Sequence, residues 1–271
     1  TQSTRCGGET TVGAKSADGI SIAFQVFGRG KPALVFVHGW CCDQGYWDAQ
    51  VDHFAQQYTV VTIDLAGHGE SGLGRESWTM EAFGEDVVAV VRKLHLDQVV
   101  LIGHSMGGHV IVEAARRMPN CVIGLVGADT YSDVERRLTR EEFDEEFASV
   151  RASFPEATRE LVRSLFAPTA DPILVERVAA DMSEAPPEIG LSAAREASGH
   201  DVARALEEVQ APIRCISSDA GTMDIEAAQR HASSFEVMYM SGVGHFVMLE
   251  NPKMFNRLLA EIVDEFASLG G

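Results

Sequence analysis

Residues 99–117 have the sequence VVLIGHSMGGHVIVEAARR, in which a short apolar run is followed by a glycine-rich turn and then by a helical pattern. The run Val99 to Ile102 has the length and the β-branched composition of a buried strand. Gly103 and Gly107 lie two residues before and after Ser105, and glycine at these positions lets a strand and a helix approach closely. This order of strand, tight turn and helix predicts a serine at the tip of a strained turn.

Similar apolar runs recur along the chain and predict a sheet. In addition to Val99 to Ile102, the runs that predict strands are Ala33 to Val37, Val60 to Ile63, Val122 to Val126, Ile213 to Ile216 and Phe235 to Met240. Helical patterns lie between most of them, such as the apolar stripe between Thr79 and Leu94. The first 30 residues predict an antiparallel hairpin, because Ile20 to Val26 alternate after the turn Asp18-Gly19. We therefore expect an α/β fold with a mainly parallel sheet covered on both faces.

One interval, from Tyr131 to Leu206, contains no run that predicts a strand. Thr139 and Glu142 have the spacing of a capping box, and Asp171-Pro172 is typical of another helix start. The apolar stripe of residues 143, 147, 150 and 154 could face a ligand, but packing against the main sheet is the ordinary interpretation. The pattern predicts a core of residues 1–130 and 207–271, with a helical cap of residues 131–206 inserted after the sixth strand.

The composition of the 271-residue chain excludes several classes of protein. An apolar fraction of 45% can fill an extended core, which excludes disorder as the main description. The net charge of −18 opposes binding to nucleic acid and to anionic membranes. No apolar run approaches the roughly 20 residues of a membrane span, and five cysteines, an odd number, imply no disulfide framework. We expect a soluble protein, either cytoplasmic or exported with its signal already removed.

A reactive serine needs two further groups. Its hydroxyl needs an imidazole to accept the proton, and the imidazole needs a carboxylate to fix its tautomer. Among the nine histidines, His245 is the best candidate, because it follows the run Phe235 to Met240 and precedes a helical pattern. Loops at the carboxyl ends of parallel strands lie at the same edge of the sheet as Ser105. His104 adjoins the serine and cannot easily fold back onto it, and His109 lies inside the following helix.

Together these features resemble the α/β-hydrolase family, specifically its capped members with a Gly-His-Ser-Met-Gly-Gly nucleophile elbow. The resemblance spans most of the chain and depends on four motifs: His38-Gly39-Trp40, residues 64–71 (DLAGHGES), residues 103–108 (GHSMGG), and Gly244-His245-Phe246 with Glu250-Asn251-Pro252. It implies that Ser105 is the nucleophile and that the backbone N–H groups of Trp40 and Met106 form an oxyanion hole. It also implies that His38 and His68 are structural turn residues. Serine as the nucleophile, where epoxide hydrolases and haloalkane dehalogenases have aspartate, argues against both of those activities.

The acid of the triad is the point at which the sequence departs from the family pattern. The family usually places an aspartate in a Gly-x-x-Asp turn after the seventh strand, but no glycine occupies that position after Ile213 to Ile216. Alignment from the following helix favours Asp219 as the acid. Asp129, which follows the preceding strand, is the main alternative, and Asp224 is a third.

No His-Glu-x-x-His, Cys-x-x-Cys or Gly-Lys-Ser/Thr motif is present, so we expect neither a metal nor a nucleotide cofactor. Cys41 and Cys42 are expected beside the oxyanion loop, where Trp40, Tyr46 and Trp47 could also line the pocket. The expected function is hydrolysis of a small, largely uncharged carboxylic ester or lactone through an acyl-enzyme intermediate. Alternatives are C–C bond hydrolysis, acyl transfer or perhydrolysis by the same groups, and a small-molecule binding protein with low turnover.

Overall fold

The computed structural model describes residues 9–269, and eight strands in that range form one sheet. Residues 1–8 and 270–271 lie outside the described residues, and with them Cys6 and the start of the predicted hairpin. In chain order the strands are β1 (Glu9–Lys15), β2 (Ser21–Phe27), β3 (Ala33–Val37), β4 (Thr59–Ile63), β5 (Val99–His104), β6 (Val122–Ala128), β7 (Ile213–Ser218) and β8 (Phe235–Met240).

The sheet has the strand order β1-β2-β4-β3-β5-β6-β7-β8. Strand β2 pairs antiparallel with both β1 and β4, and all other neighbours are parallel. The predicted fold class, a mostly parallel eight-stranded sheet, is confirmed. Because β3 and β5 to β8 run in the same direction, the loops that follow them meet at one edge of the sheet.

Both faces of the sheet are buried, which explains why the parallel strands are continuous apolar runs. In β3, Leu34 and Phe36 pack into one hydrophobic cluster and Val35 and Val37 into the other. Helices cover both faces, and their bounds are α1 (Asp48–Phe54), α2 (Met80–Lys93), α3 (Met106–Arg117), α4 (Arg140–Glu146), α5 (Ala148–Ala152), α6 (Phe154–Leu165), α7 (Pro172–Ser183), α8 (Pro187–Gly199), α9 (Val202–Glu207), α10 (Ile225–His231), α11 (Val247–Glu250) and α12 (Pro252–Leu269). No helix within residues 9–269 combines the length and the hydropathy needed to cross a membrane.

The segment between β6 and β7 is described throughout and contains the six helices α4 to α9. The predicted capping box is present: Glu142 N–H donates to Thr139 Oγ1, and Thr139 N–H donates to Glu142 Oε2. The single helix expected over the stripe that follows is instead broken after Glu146 and again at Ser153, which has φ −150° and ψ 84°. The second break precedes Pro155, which suits only the first turn of a new helix.

Candidate active site

Ser105 forms the turn between β5 and α3 in a left-handed conformation, with φ 51° and ψ −119°. The turn is fixed on both sides, because Ser105 N–H donates to Ala128 O (3.1 Å) and Thr130 Oγ1 donates to Ser105 O (2.9 Å). A Cβ on Gly103 would lie 2.3 Å from Gly107 O, so no larger residue fits at position 103. The strained turn predicted from the sequence is therefore present, and it leaves the Ser105 side chain partly exposed.

The exposed side of this turn opens into a cavity of about 410 Å³. Five of the residues predicted from the sequence line it, namely Trp40, Ser105, Met106, Asp129 and His245, whereas Asp219 and Asp224 do not. Opposite them, the wall is formed by residues of the segment between β6 and β7, such as Phe147 and Leu161. The cavity thus lies between the loops at the carboxyl edge of the sheet and the inserted helices.

The side chains of His245 and Asp129 are in contact at this edge. His245 Nδ1 lies 2.7 Å from Asp129 Oδ2, and Ser218 N–H donates to Asp129 Oδ1 at 2.8 Å. Asp129 has a positive φ of 46°, a conformation that aspartate adopts more readily than most residues. Because a carboxylate accepts, Nδ1 donates to Asp129, and in the neutral ring the lone pair lies on Nε2 of His245.

The preference for Asp219 as the acid is not supported by this geometry. Strand β7 continues to Ser218, two residues beyond the predicted end at Ile216, and Asp219 lies exposed after it. Within residues 9–269 the Asp219 carboxylate makes no hydrogen bond, whereas Asp129 contacts His245. Asp224, the third alternative, caps α10 by accepting from Ala227 N–H at 2.9 Å.

Two backbone N–H groups are available for an oxyanion. Trp40 N–H forms no hydrogen bond within the described part of the chain, and Met106 is the first residue of α3, where the N–H has no intrahelical acceptor. The Trp40 ring is held separately, because its Nε1–H donates to Gly190 O of α8 at 2.7 Å. The loop that carries Trp40 is fixed by His38, which contacts Gly39 O through Nδ1 (2.8 Å) and accepts Leu65 N–H at Nε2 (3.0 Å).

A hydrogen bond between Ser105 Oγ and His245 Nε2 is not formed in this structure, although both residues line the cavity. Catalytic hydrogen bonds are often completed only when substrate binds. The position of His245 is nevertheless well determined, because its N–H donates to Leu165 O at 2.8 Å. On its other side, its carbonyl accepts from His104 Nε2 at 3.0 Å.

His104 and Glu250 are positioning residues that the sequence analysis did not identify. The ring of His104 lies 4.7 Å from the ring of His245, and burial lowers its pKa well below the usual value, so it is neutral. Glu250 accepts Gly244 N–H and Phe246 N–H on either side of His245, at 3.0 and 3.3 Å. A sequence signal existed for Glu250, which lies in a family motif, but none identified the carbonyl contact of His104.

The histidines that the resemblance implied to be structural are buried and neutral. Burial lowers the pKa of His38 to about 4, and burial with the neighbouring His38 lowers the pKa of His68 to about 3. Cys41 and Cys42 are also buried, and burial raises the pKa of both thiols. Trp40 lines the cavity as expected, whereas Cys41, Cys42, Tyr46 and Trp47 do not. Tyr46 instead donates to Asp181 Oδ2 at 2.6 Å.

A further series of hydrogen-bonded polar side chains extends from α3 to the same cavity. His109 lines the cavity and its Nδ1 lies 3.1 Å from His200 Nδ1, while His200 Nε2 lies 2.9 Å from Glu113 Oε1. Burial, followed by the neighbouring His200, lowers the pKa of His109 to about 3. Burial raises the pKa of Glu113, but hydrogen bonds from His200 and Arg117 and the charge of Arg116 outweigh it and give a pKa of about 2.

Within residues 9–269, one group of side chains has the spacing of a metal site, namely Glu81, Glu113 and His200. The carboxylate of Glu113 already accepts from Arg116 and Arg117 as well as from His200. Two guanidinium groups at the Glu113 carboxylate repel a divalent cation and occupy the lone pairs of the carboxylate. The donor set therefore fits an ion-pair network better than a metal.

Comparison with known families agrees with the fold. The model of the alpha/beta hydrolase family matches residues 34–258, which is most of the chain. The chain therefore belongs to the α/β-hydrolase family.

Individual relatives carry names of ester-cleaving enzymes. The chain is 36% identical over 105 residues to a bifunctional esterase/perhydrolase of Acinetobacter calcoaceticus, a match that covers 38% of each protein. It is 23% identical over 261 residues to 3-oxoadipate enol-lactonase 2 of Acinetobacter baylyi, covering 93% of this chain and 96% of the lactonase. The matches to the first curated relatives span only about a third of the length of those proteins, 34% in four cases.

Solved structures are similar over nearly the whole chain. An esterase from the thermophile Thermogutta terrifontis has a TM-score of 0.82 at 25% identity, covering 95% of this chain and 99% of its own. Est816, described as an N-acyl homoserine lactone degrading enzyme, has a TM-score of 0.79 at 25% identity, covering 91% and 98%.

Proposed function

We propose that the chain is a serine hydrolase that cleaves small, largely uncharged carboxylic esters or lactones through an acyl-enzyme intermediate. The observation that carries this proposal is the meeting of Ser105, His245 and Asp129 in one cavity, with His245 Nδ1 2.7 Å from Asp129 Oδ2. In the neutral ring that contact places the lone pair on Nε2 of His245, the nitrogen that a general base uses. The family of the chain and the names of its relatives support the same reaction class.

In the proposed reaction, Ser105 Oγ attacks the ester carbonyl while His245 Nε2 takes its proton and later delivers it to the leaving alcohol. Asp129 holds the imidazole and stabilises the imidazolium. The N–H groups of Trp40 and Met106 donate to the developing oxyanion, and each such donor contributes about 2.7 to 4 kcal/mol in comparable sites. Water then repeats the sequence on the acyl-enzyme, with His245 as base, and releases the acid.

The cavity supports a small and uncharged substrate. Its volume is about 410 Å³, which suits a small organic ester. Arg136 is the only arginine or lysine lining it in the described part of the chain, and its guanidinium lies 3.2 Å from Glu146 Oε2. Asp133 lines the same wall, so an anionic acyl group would meet more negative than positive charge.

We further propose that residues 131–206 act as a cap on the core formed by the rest of the chain. Leu138, Phe147, Leu161 and Ala194 of this segment line the cavity on the side away from β5. A segment in this position determines which acyl and alcohol groups reach Ser105. Substitutions in it should change substrate preference more than they change the chemical step.

Labelling with a fluorophosphonate tests the activated serine. The wild-type protein should be modified stoichiometrically, and Ser105→Ala should not be modified at all. Ser132→Ala removes another hydroxyl of the same cavity and should still be labelled. Equal labelling of wild type and Ser105→Ala would contradict the proposal.

Turnover of a panel of p-nitrophenyl acyl esters and lactones then distinguishes a hydrolase from a binding protein. Multiple turnovers that depend on Ser105 support hydrolysis, and stoichiometric binding without product release supports the binding alternative. Carbon–carbon hydrolysis and acyl transfer would use the same triad, so a vinylogous diketone and an added alcohol acceptor belong in the panel.

A further inference from the structure

The proposed triad does not use the hydrogen-bonded side chains of His109, His200 and Glu113. This series of side chains nevertheless ends in the same cavity. His109 lies on α3 four residues after Ser105, about one helical turn of 5.4 Å along the axis. It lines the cavity, whereas the Glu113 side chain at the other end is fully buried and that of His200 is 5% exposed. These three side chains therefore extend from a buried carboxylate to the space beside Ser105.

The direction of the hydrogen bonds follows from the carboxylate. Glu113 can only accept, so His200 donates from Nε2, and a neutral His200 then has a lone pair at Nδ1. His109 must donate from its own Nδ1 to that lone pair across 3.1 Å. This leaves Nε2 of His109 without a proton, and Nε2 makes no hydrogen bond to residues 9–269.

We propose that His109 Nε2 accepts a hydrogen bond from the substrate, and that the preferred substrates are esters or lactones with a hydroxyl or amide N–H a few atoms from the scissile carbonyl. This inference rests on the proposed hydrolase function of the same cavity. Ser105 and His109 line the same cavity about one helical turn apart along the axis of α3, so a substrate held at Ser105 can bring a donor a few atoms from its scissile carbonyl near His109. The buried Glu113 fixes the acceptor role, because it sets which nitrogen of each ring is protonated.

A purely structural role would need no free acceptor. The inserted segment is already joined to α3 by the contact of His200 with Glu113, and the loop after β6 is joined to it by Tyr131, which donates to Gly108 O at 2.6 Å. A polar site that binds a substrate donor discriminates against analogues that lack it, because the acceptor is then left unpaired. Substrate discrimination is therefore the measurement that distinguishes substrate recognition by His109 from a purely structural role.

The test compares three ethyl esters by acid release in a pH-stat at pH 8, where imidazoles are ordinarily neutral. Ethyl 3-hydroxybutanoate offers a donor, ethyl 3-methoxybutanoate keeps the oxygen without the proton, and ethyl butanoate has neither. In the wild type, kcat/KM for the hydroxy ester should exceed that for the methoxy ester about tenfold. In His109→Phe this ratio should fall to about one.

His231→Phe is the matched control, since His231 is bonded to Glu135 and Glu207 away from the cavity. It should leave the wild-type ratio as it is. If the wild type itself shows a ratio of hydroxy-ester to methoxy-ester kcat/KM near one, the inference is wrong, whether or not His109→Phe folds. The inference is also wrong if His109→Phe keeps the wild-type ratio. Absence of turnover with all three esters and with the p-nitrophenyl panel would instead overturn the proposed function.

Discussion

Asp129 shows how one backbone conformation selects a partner for His245. At φ 46° the chain turns directly after β6 and brings the carboxylate to both Ser218 N–H and His245 Nδ1. Few residue types tolerate this conformation without strain, and aspartate is one of them. The role of Asp129 therefore depends on a turn as much as on its charge.

Replacing Asp129 by Asn should lower kcat about a thousandfold or more, because the amide no longer fixes the productive tautomer of His245. Steady-state kinetics on a p-nitrophenyl ester measure the effect. Asp219→Asn is the matched control, because Asp219 is exposed and should change kcat less than about threefold. A larger loss in Asp219→Asn than in Asp129→Asn would reverse our assignment of the acid.

At the scale of single residues, the sequence was informative where geometry required a particular residue type. Gly103 and Gly107 are needed on either side of Ser105, so the serine was identifiable from its neighbours. His245 was identifiable because it follows a strand and lies next to Gly244. The turn at Asp129 contains no glycine, and nothing in its local sequence predicts the positive φ that brings it to His245.

At the scale of elements, the elbow between β5 and α3 depends on close backbone contact. A Cβ at position 103 would lie 2.3 Å from Gly107 O, and backbone cannot move aside as a side chain can. We expect Gly103→Ala to lower the free energy of unfolding by about 3 kcal/mol, measured by urea denaturation. Gly221→Ala is the control, because no atom outside its neighbours lies within 4 Å, and it should have little effect.

The loop after β4 is held by a buried ion pair. Asp86 of α2 accepts from Arg75 (3.1 Å) and from Ala66 N–H (3.0 Å), and the side chains of Arg75 and Asp86 are 2% and 0% exposed. Arg75→Met should destabilise the protein by about 3 kcal/mol or more in urea, because it leaves Asp86 buried without its cation. Arg257→Met, which breaks an exposed pair, should have little effect; equal effects would contradict this explanation.

Strands and helices were predictable to different degrees. β3 and β8 begin and end where their apolar runs do, because Pro32 and His38 flank the first run and Ser234 and Ser241 flank the second. β7 extends further because Ser217 and Ser218 pair with Tyr239 and Met240, a contact between distant residues that local pattern does not contain. The break at Ser153 was missed because the apolar stripe continues across it.

At the scale of the whole molecule, buried histidines couple folding to pH. The pKa of His68 is about 3 in the folded protein against an ordinary 6.5, so below pH 6.5 the unfolded chain binds a proton that the folded chain does not. Stability should therefore fall as pH decreases, by about 2 kcal/mol between pH 7 and pH 5 for such a histidine. Urea midpoints at pH 7, 6 and 5 measure this slope.

His68→Gln removes the titrating group, so its stability should decline less over the same interval. His53→Gln removes an exposed histidine and should leave the wild-type slope unchanged. Identical slopes in wild type and His68→Gln would show that the acid sensitivity originates elsewhere.

The burial of Cys41 beside α8 offers a way to test whether the proposed cap moves. Its sulfur lies against α8, since a Cβ on Gly190 would be 3.1 Å from Cys41 Sγ. If residues 131–206 act as the proposed cap, movement of α8 away from the core would expose this thiol further, and the alkylation rate of Cys41 would report that movement. An inhibitor that holds the proposed cap against the core should then slow alkylation of Cys41 but not that of the partly exposed Cys121.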